Sequence, residues 1–343
     1  MTDLLPRCSR RSVLQGGLAA AVATLLPGAL RTADSAEDPR IGAAIERRIP
    51  SSGQRVAVMG LGTNDFGRAG YDRVRAVLDR LHATGGNMID TAASYGDSEM
   101  LIGRALTELR IRDQMFLATK FNAASGEHFG PPGSRPPRGF GPPVGFGPPP
   151  GSERLYGRAS FERSLMRLQT DHVDLIYAHF IGSWEPLMSL MIQLKQQGKA
   201  RYIGITTASV REHPQLIAAM QKHPIDFVQV DYSIANRDAA TTVFPVAVAR
   251  KIAIVVDMPL GGLFTSLLGQ IEHRRLPPWA PELGIRSWGQ YLLKYVISHP
   301  AVTCAIPGAT KVEHLADDQL AGHGILPNAA ERRQMEAYWD AKT

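Results

Sequence analysis

The sequence predicts an α/β fold of the (β/α)8 TIM-barrel class, and two observations carry that prediction. Short apolar runs of strand length alternate with longer amphipathic runs of helical period, which implies a parallel sheet flanked by helices. Each kind occurs eight times within about 290 residues, the repeat number and size of a closed barrel. An open, doubly wound sheet is the competing arrangement, separated from the barrel by the count of eight alone. The strands are read at 56–59, 87–90, 115–119, 173–178, 203–206, 225–230, 252–257 and 302–306. The helices are read at 71–83, 98–109, 159–169, 185–197, 209–220, 238–250, 287–298 and 311–320.

Taken in order, the chain begins with a segment of a different kind. Ser9-Arg10-Arg11-Ser12-Val13-Leu14 precedes an apolar run from Leu18 to Leu30, broken by Pro27-Gly28. A basic region, an apolar region and a polar tail describe an export signal over residues 1–35. Paired arginines directly before the apolar run resemble the twin-arginine class, which carries folded proteins. The expected address is the periplasm or beyond, with the twin-arginine export machinery as a partner. Ala33-Asp34-Ser35 is the best cleavage site, and a signal left uncleaved would serve as a membrane anchor. No later stretch is long and apolar enough to span a bilayer.

Ile49 to Val56 reads as a small hairpin leading into the first strand. Gly60-Leu61-Gly62 follows, but the third glycine of a G-x-G-x-x-G dinucleotide fingerprint would fall at Asp65, so that reading fails. The alternation then runs through residues 46–325, interrupted once. Phe-Gly-Pro-Pro occurs three times, at 129–132, 140–143 and 146–149. Proline removes donors and fixes φ, so an insert at 129–151 is expected to stay out of the sheet. Residues 326–343 are expected to form a helical tail.

Composition narrows the function. Hydrophobic residues make up 44% and charged residues 20% of the 343, so the chain can bury a full core. The formal charge of +6 comes from scattered basic residues with no aromatic-interleaved patch, which argues against nucleic-acid binding. Cys8 and Cys304 are the two cysteines. Removal of the signal leaves one thiol and no internal disulfide. H-E-x-x-H and C-x-x-C are absent and the ten histidines are scattered, so no metal site is expected.

In a barrel, catalytic groups sit at the C-terminal ends of the strands. Asp90 closes the second strand, Lys120 follows the third, and His179 follows the fourth. Tyr95 lies on the Tyr-Gly turn after Asp90. Any one of these has an ordinary explanation as a solvated strand end, a turn residue or a satisfied core histidine, but all four would meet at one mouth. A tyrosine is a poor acid at neutral pH, and a nearby ammonium favours its ionised form. Lys120, held charged by Asp90, would do this to Tyr95, while His179 orients a carbonyl oxygen. The set suits a general acid beside an oxygen that gains negative charge.

These residues resemble the aldo-keto reductase family over about 46 to 325. The resemblance rests on Asp90-Thr91 with Tyr95-Gly96 and Glu99, on Thr119-Lys120, and on Val173-Asp174-Leu175 leading to His179. Gln197-Gly198-Lys199, Arg201-Tyr202-Ile203-Gly204, Gln229 with Tyr232, and Ile306-Pro307-Gly308 add to it. It implies reduction of a small aldehyde or ketone by NADP(H), with Tyr95 the acid, Lys120 and Asp90 tuning it, and His179 positioning the carbonyl. Thr63, Thr206, Thr207, Gln229, Leu260, Gly261, Gly308, Lys311, His314 and Asp318 would line the nucleotide. Some of these depart from the family pattern. Thr206-Thr207 stand where Ser-Asn usually holds the carboxamide. Asp257 stands where an aromatic usually stacks on nicotinamide. His314 and Asp318 stand where Arg usually meets the adenosine phosphate and Asn the adenine. His314 offers less charge than a guanidinium, and Asp318 would add a like charge, offset by Lys311 and a helix N-terminus. NADP(H) is therefore expected to be preferred over NAD(H) only weakly. The alternative is a low-turnover nucleotide-binding barrel serving as a redox-sensing or partner-binding subunit. The sequence implies no particular oligomeric state.

Overall fold

The computed structural model describes residues 43–121, 157–179, 181, 184–262, 265–271 and 273–341. The export signal at 1–35 and the Phe-Gly-Pro-Pro insert at 129–151 lie outside the described residues.

The first strands among the described residues form an antiparallel hairpin, β1 (Glu46–Arg48) against β2 (Arg55–Ala57). Eight parallel strands then follow: β3 (Leu61–Gly62), β4 (Met88–Asp90), β5 (Phe116–Lys120), β6 (Val173–Ala178), β7 (Ala200–Thr207), β8 (Phe227–Asp231), β9 (Ala253–Asp257) and β10 (Val302–Ala305). They lie side by side in chain order. Parallel bridges from Met59 to Ala305 and from Gly62 to Gly308 join the two ends and close the barrel. The eight parallel strands expected from the apolar runs are thus present.

One strand sits elsewhere than its apolar run suggests. The run 56–59 is divided: Val56 and Ala57 pair in the hairpin, and the barrel strand begins only at Met59. Two glycines occupy that barrel strand because neighbouring backbones crowd it. A Cβ at Gly60 would lie 2.9 Å from the Met88 carbonyl oxygen, and one at Gly62 would lie 2.8 Å from that of Ile306.

The helices between the strands are α1 (Phe66–Ala69), α2 (Tyr71–Ala83), α3 (Ser98–Leu109), α4 (Gly157–Arg167), α5 (Trp184–Gln196), α6 (His213–Lys222), α7 (Asp238–Ala249), α8 (Leu267–Ile271), α9 (Trp288–Ile297) and α10 (Val312–Leu320). Their apolar stripes explain their packing. Helix α2 buries Val74, Val77, Leu78 and Leu81, one face at helical spacing, against the outside of the barrel. The helix expected at 209–220 is instead a 3-10 turn, Val210–Glu212, followed by α6, because Pro214 suits a first helical turn and not a helix interior. A final helix, α11 (Ala329–Asp340), starts at a reciprocal cap between Asn328 and Glu331, a motif worth about 1 kcal/mol.

Side-chain alternation along the strands sorts the interior into layers. Met88, Phe116, Ala118, Leu175, Tyr177, Phe227, Ala253, Val255 and Cys304 fill the inside of the barrel. Ile49 and Val56 of the hairpin join this cluster and stopper the N-terminal end; Ile49 is wholly buried, worth about 1.5–3 kcal/mol. Gly204 makes room for Tyr177, whose ring carbons lie 2.6 Å from where a Cβ would stand. Continuing each inward row by two or four residues reaches Asp90, Lys120, His179, Thr206, Asp231 and Asp257. The interior is therefore apolar below and polar at the C-terminal mouth.

Candidate active site

The mouth is built around a buried ion pair. The Lys120 ammonium donates to Asp90 Oδ1 and, at 2.9 Å, to the Thr91 carbonyl oxygen; both charged residues are 2% exposed. Gln229 Nε2 donates to the same Asp90 oxygen at 3.3 Å. Burial alone would pull the ammonium down, but the charges of Asp90, Tyr95 and Asp257 outweigh it and hold Lys120 above its ordinary value. Lys120 is thus a fixed cation in a setting of low dielectric.

Tyr95 is placed by its loop. Its amide donates to the Ala92 carbonyl oxygen at 3.1 Å, and its own carbonyl accepts from Ser98 at 3.2 Å. Gly96 follows with φ +59°, and Gly67 of α1 packs so close that a Cβ would lie 2.8 Å from the Tyr95 carbonyl oxygen. The Lys120 ammonium stands 5.1 Å from the Tyr95 ring centroid and hydrogen-bonds the phenol. The expectation that Lys120 lowers this phenol's pKa is corrected by its surroundings. Burial raises it, Asp90 and Asp257 add to the rise, and Lys120 only moderates it. Tyr95 therefore holds its proton, as an acid should before the reaction.

His179 lies across the mouth, its ring centroid 5.7 Å from that of Tyr95 in an edge-on arrangement. Its Nδ1 is 3.4 Å from Ser94 Oγ, a partner the sequence did not single out. Burial and then the Lys120 charge lower His179 well below the usual imidazole value, so it is neutral at pH 7. A neutral imidazole carries one donor and one acceptor nitrogen. The four residues Asp90, Tyr95, Lys120 and His179 do meet at one mouth.

The residues expected to hold nucleotide fall into two groups. Thr63, Thr206 and Thr207 have their hydroxyls engaged within the protein. Thr63 donates to the Asp90 carbonyl oxygen at 2.9 Å, Thr206 to the His179 carbonyl oxygen, and Thr207 to Glu212. These threonines brace strand ends. Gln229, in contrast, keeps Oε1 buried with no partner among the described residues, as does Asp90 Oδ2. Leu260 packs on the core edge, and Gly261, at φ +103°, allows the Thr265 carbonyl oxygen to approach. Gly308 is exposed beside β3, Lys311 precedes the first turn of α10, and His314 is exposed on that helix.

Asp318 requires a correction. It is 6% exposed and turns inward, its Oδ1 lying 3.5 Å from where a Cβ on Gly289 would stand. Burial, with the charge of Asp317 second, pushes its carboxyl up to about 8. It is neither an open contact on the helix surface nor a full negative charge at pH 7. Its spacing from Leu315 placed it on the buried face, a signal present in the sequence.

Two further acids complete the mouth. Asp231 and Asp257 are register partners at the ends of β8 and β9. Asn236 donates to Asp231 at 2.8 Å, while Asp257 Oδ1 is buried without a partner among the described residues. Among those residues no group of three or more His, Cys, Asp or Glu could hold a metal ion.

Fold and site together define a parallel (β/α)8 barrel with a tyrosine, a paired lysine and a neutral histidine at its C-terminal mouth. The chain belongs to the aldo/keto reductase family, whose model matches residues 58–323. It is 28% identical over 283 residues to a probable aryl-alcohol dehydrogenase of Saccharomyces cerevisiae, covering 73% of this chain and 83% of that protein. Its fold is similar to an aldo/keto reductase from Klebsiella pneumoniae solved with NADP and acetate, at 24% identity and TM-score 0.62, covering 84% and 93% of the two chains. It is also similar to the holo form of an aldo-keto reductase from Bacillus halodurans, at 24% identity and TM-score 0.64, covering 86% and 96%.

Proposed function

We propose that this protein is an NADP(H)-dependent oxidoreductase that reduces a small aldehyde or ketone, with Tyr95 as general acid. One observation carries the reading: a protonated phenol, a fixed ammonium and a neutral imidazole converge on one mouth. The residues present fit the nucleotide. Gln229 Oε1, buried and without a partner among the described residues, offers an acceptor to an amide, and the N-terminus of α10 with Lys311 and His314 offers an anion site. When bound, the reduced nicotinamide supplies a hydride to the carbonyl carbon. His179 donates a hydrogen bond to the carbonyl oxygen and orients it. Tyr95 passes its hydroxyl proton to that oxygen as negative charge develops there. Lys120 stabilises the phenolate left behind, and Asp90 keeps Lys120 charged and in place. Aromatic aldehydes are the first substrates to try, because the yeast relatives are described as aryl-alcohol dehydrogenases. The test is loss of NADPH absorbance near 340 nm on adding aldehyde to purified protein.

A second reading is a barrel that binds nucleotide with little turnover, and the engaged hydroxyls of Thr206 and Thr207 favour it. Tight nucleotide binding without oxidation across a panel of aldehydes and ketones would establish it.

We also propose that Arg10 and Arg11 direct export of the folded protein, on the strength of their place before the Leu18–Leu30 run. Changing both to Lys keeps charge and removes the paired guanidinium groups. The variant should stay in the cytoplasm. Finding it exported would refute the twin-arginine reading.

A further inference from the structure

We propose that Asp257 sets the redox preference of the bound nucleotide: its carboxylate favours the oxidised, cationic nicotinamide ring over the reduced, neutral one. The proposal rests on the nucleotide reading above and goes beyond it.

Asp257 ends β9 and lies two residues beyond Val255 on the same inward face. Its register partner Asp231 ends β8, two residues beyond Gln229. The two acids therefore stand one layer above Gln229, at the C-terminal mouth. The Asp257 charge acts on both the Tyr95 phenol and the Lys120 ammonium. Tyr95 must reach the oxygen of the bond whose carbon takes the hydride, so the ring that gives the hydride lies within a few ångström of Tyr95. A carboxylate that Tyr95 feels is felt by that ring.

The other two acids at the mouth each hold a side-chain donor. Asp90 is paired with Lys120, and Asp231 accepts from Asn236. Asp257 Oδ1 has no partner among the described residues. Two side chains only 2% exposed, Asp90 and Gln229, also keep buried oxygens, Oδ2 and Oε1, without partners among the described residues. A buried mouth rimmed by unanswered acceptors suits a cation and a donor. The reduced nicotinamide loses a hydride, two electrons with a proton, and the ring is left positively charged. An ionised Asp257 stabilises that product and makes the bound reduced form the stronger hydride donor.

Burial, with the charge of Asp231 second, holds the Asp257 carboxyl well above the ordinary carboxylate range, so raising the pH favours its ionised form. The groups facing it are Asp231, Lys120, Asp90, Tyr95 and Tyr177, with neutral His179 across the mouth. NADP+ should therefore gain on NADPH as pH rises. The 2′-phosphate also titrates, but it is common to both nucleotides and cancels in the ratio of their affinities.

The experiment measures Kd for NADP+ and for NADPH on wild type and Asp257→Asn at pH 5 and pH 9, by calorimetric titration without substrate. In wild type, Kd(NADPH)/Kd(NADP+) should rise at least tenfold from pH 5 to pH 9. In Asp257→Asn, the ratio should be flat with pH and at least tenfold below wild type at pH 9. Binding of both nucleotides with a pH-independent wild-type ratio overturns this inference and leaves the reductase reading standing. An Asp257→Asn protein that keeps the wild-type pH dependence also overturns it, by assigning the effect to another group. Failure of either nucleotide to bind overturns both. The wild-type series needs no variant to fold.

Discussion

Replacing Lys120 by Met removes the cation at the centre of the mouth and leaves its partner buried. Asp90 is 2% exposed, and among the described residues its Oδ2 already lacks a partner and only the Gln229 contact at 3.3 Å would remain on Oδ1. Removing one member of a buried pair costs about 3–5 kcal/mol, because the other charge stays without compensation. That is the predicted loss in unfolding free energy from urea titration at pH 7. The double variant Asp90→Asn with Lys120→Met removes both charges and should regain about 2 kcal/mol or more. The loss should also depend on pH. In Lys120→Met, burial raises the Asp90 carboxyl above its unfolded value, so that variant loses stability as pH climbs above about 4. Moving from pH 7 to pH 5 should restore up to about 2.7 kcal/mol, at about 1.4 kcal/mol per pH unit. A cost below about 1 kcal/mol for the single change, or a double variant no more stable than the single, would refute the reasoning.

Other consequences follow from single positions. The Asp318 carboxyl, pushed up to about 8, binds a proton more tightly folded than unfolded, so its contribution to stability falls as pH rises from about 4 to about 8. Asp318→Asn should remove that fall and gain about 2–4 kcal/mol on wild type between pH 5 and pH 8, read from urea midpoints at both. A difference between the two proteins that stays constant with pH contradicts its burial as an acid. His314→Arg places a permanent planar cation on α10 and should raise the preference for NADPH over NADH by about 3- to 30-fold. Unchanged relative affinities in fluorescence titrations would show that this helix does not hold the 2′-phosphate.

Much of this molecule was legible because two periods govern it. The stripe at Val74, Val77, Leu78 and Leu81 is visible in the sequence and is the face α2 buries. Lone polar residues at the ends of apolar strands marked Asp90, Lys120 and His179, because parallel strands bring their C-terminal ends to one side. The first barrel strand was hidden for a reason of packing. Its residues are Gly60, Leu61 and Gly62, which have little strand propensity and are required by close backbones, while the more strand-like Val56-Ala57 serves the hairpin. Ser94, Tyr177 and Asp231 were missed as members of the site. Their roles depend on partners from other strands and loops, Nδ1 of His179 for Ser94, Gly204 beside Tyr177 and Asp257 beside Asp231, and no local pattern records such pairings. The direction of the Tyr95 pKa was misjudged for a similar reason. The favourable charge of Lys120 could be inferred from a strand end, but the desolvation that outweighs it comes from the whole mouth.

Proton donation from Tyr95 to the carbonyl oxygen is the step on which the proposed reaction turns. The most direct measurement is the single-turnover rate of NADPH oxidation with a saturating aromatic aldehyde, compared between wild type and Tyr95→Phe. That change keeps the ring beside His179 and Lys120 and removes the hydroxyl alone. The rate in Tyr95→Phe should be lower by about 100- to 10,000-fold, the usual worth of general acid catalysis, with NADPH affinity within about threefold of wild type. A Tyr95→Phe protein that turns over at more than about a third of the wild-type rate would contradict it.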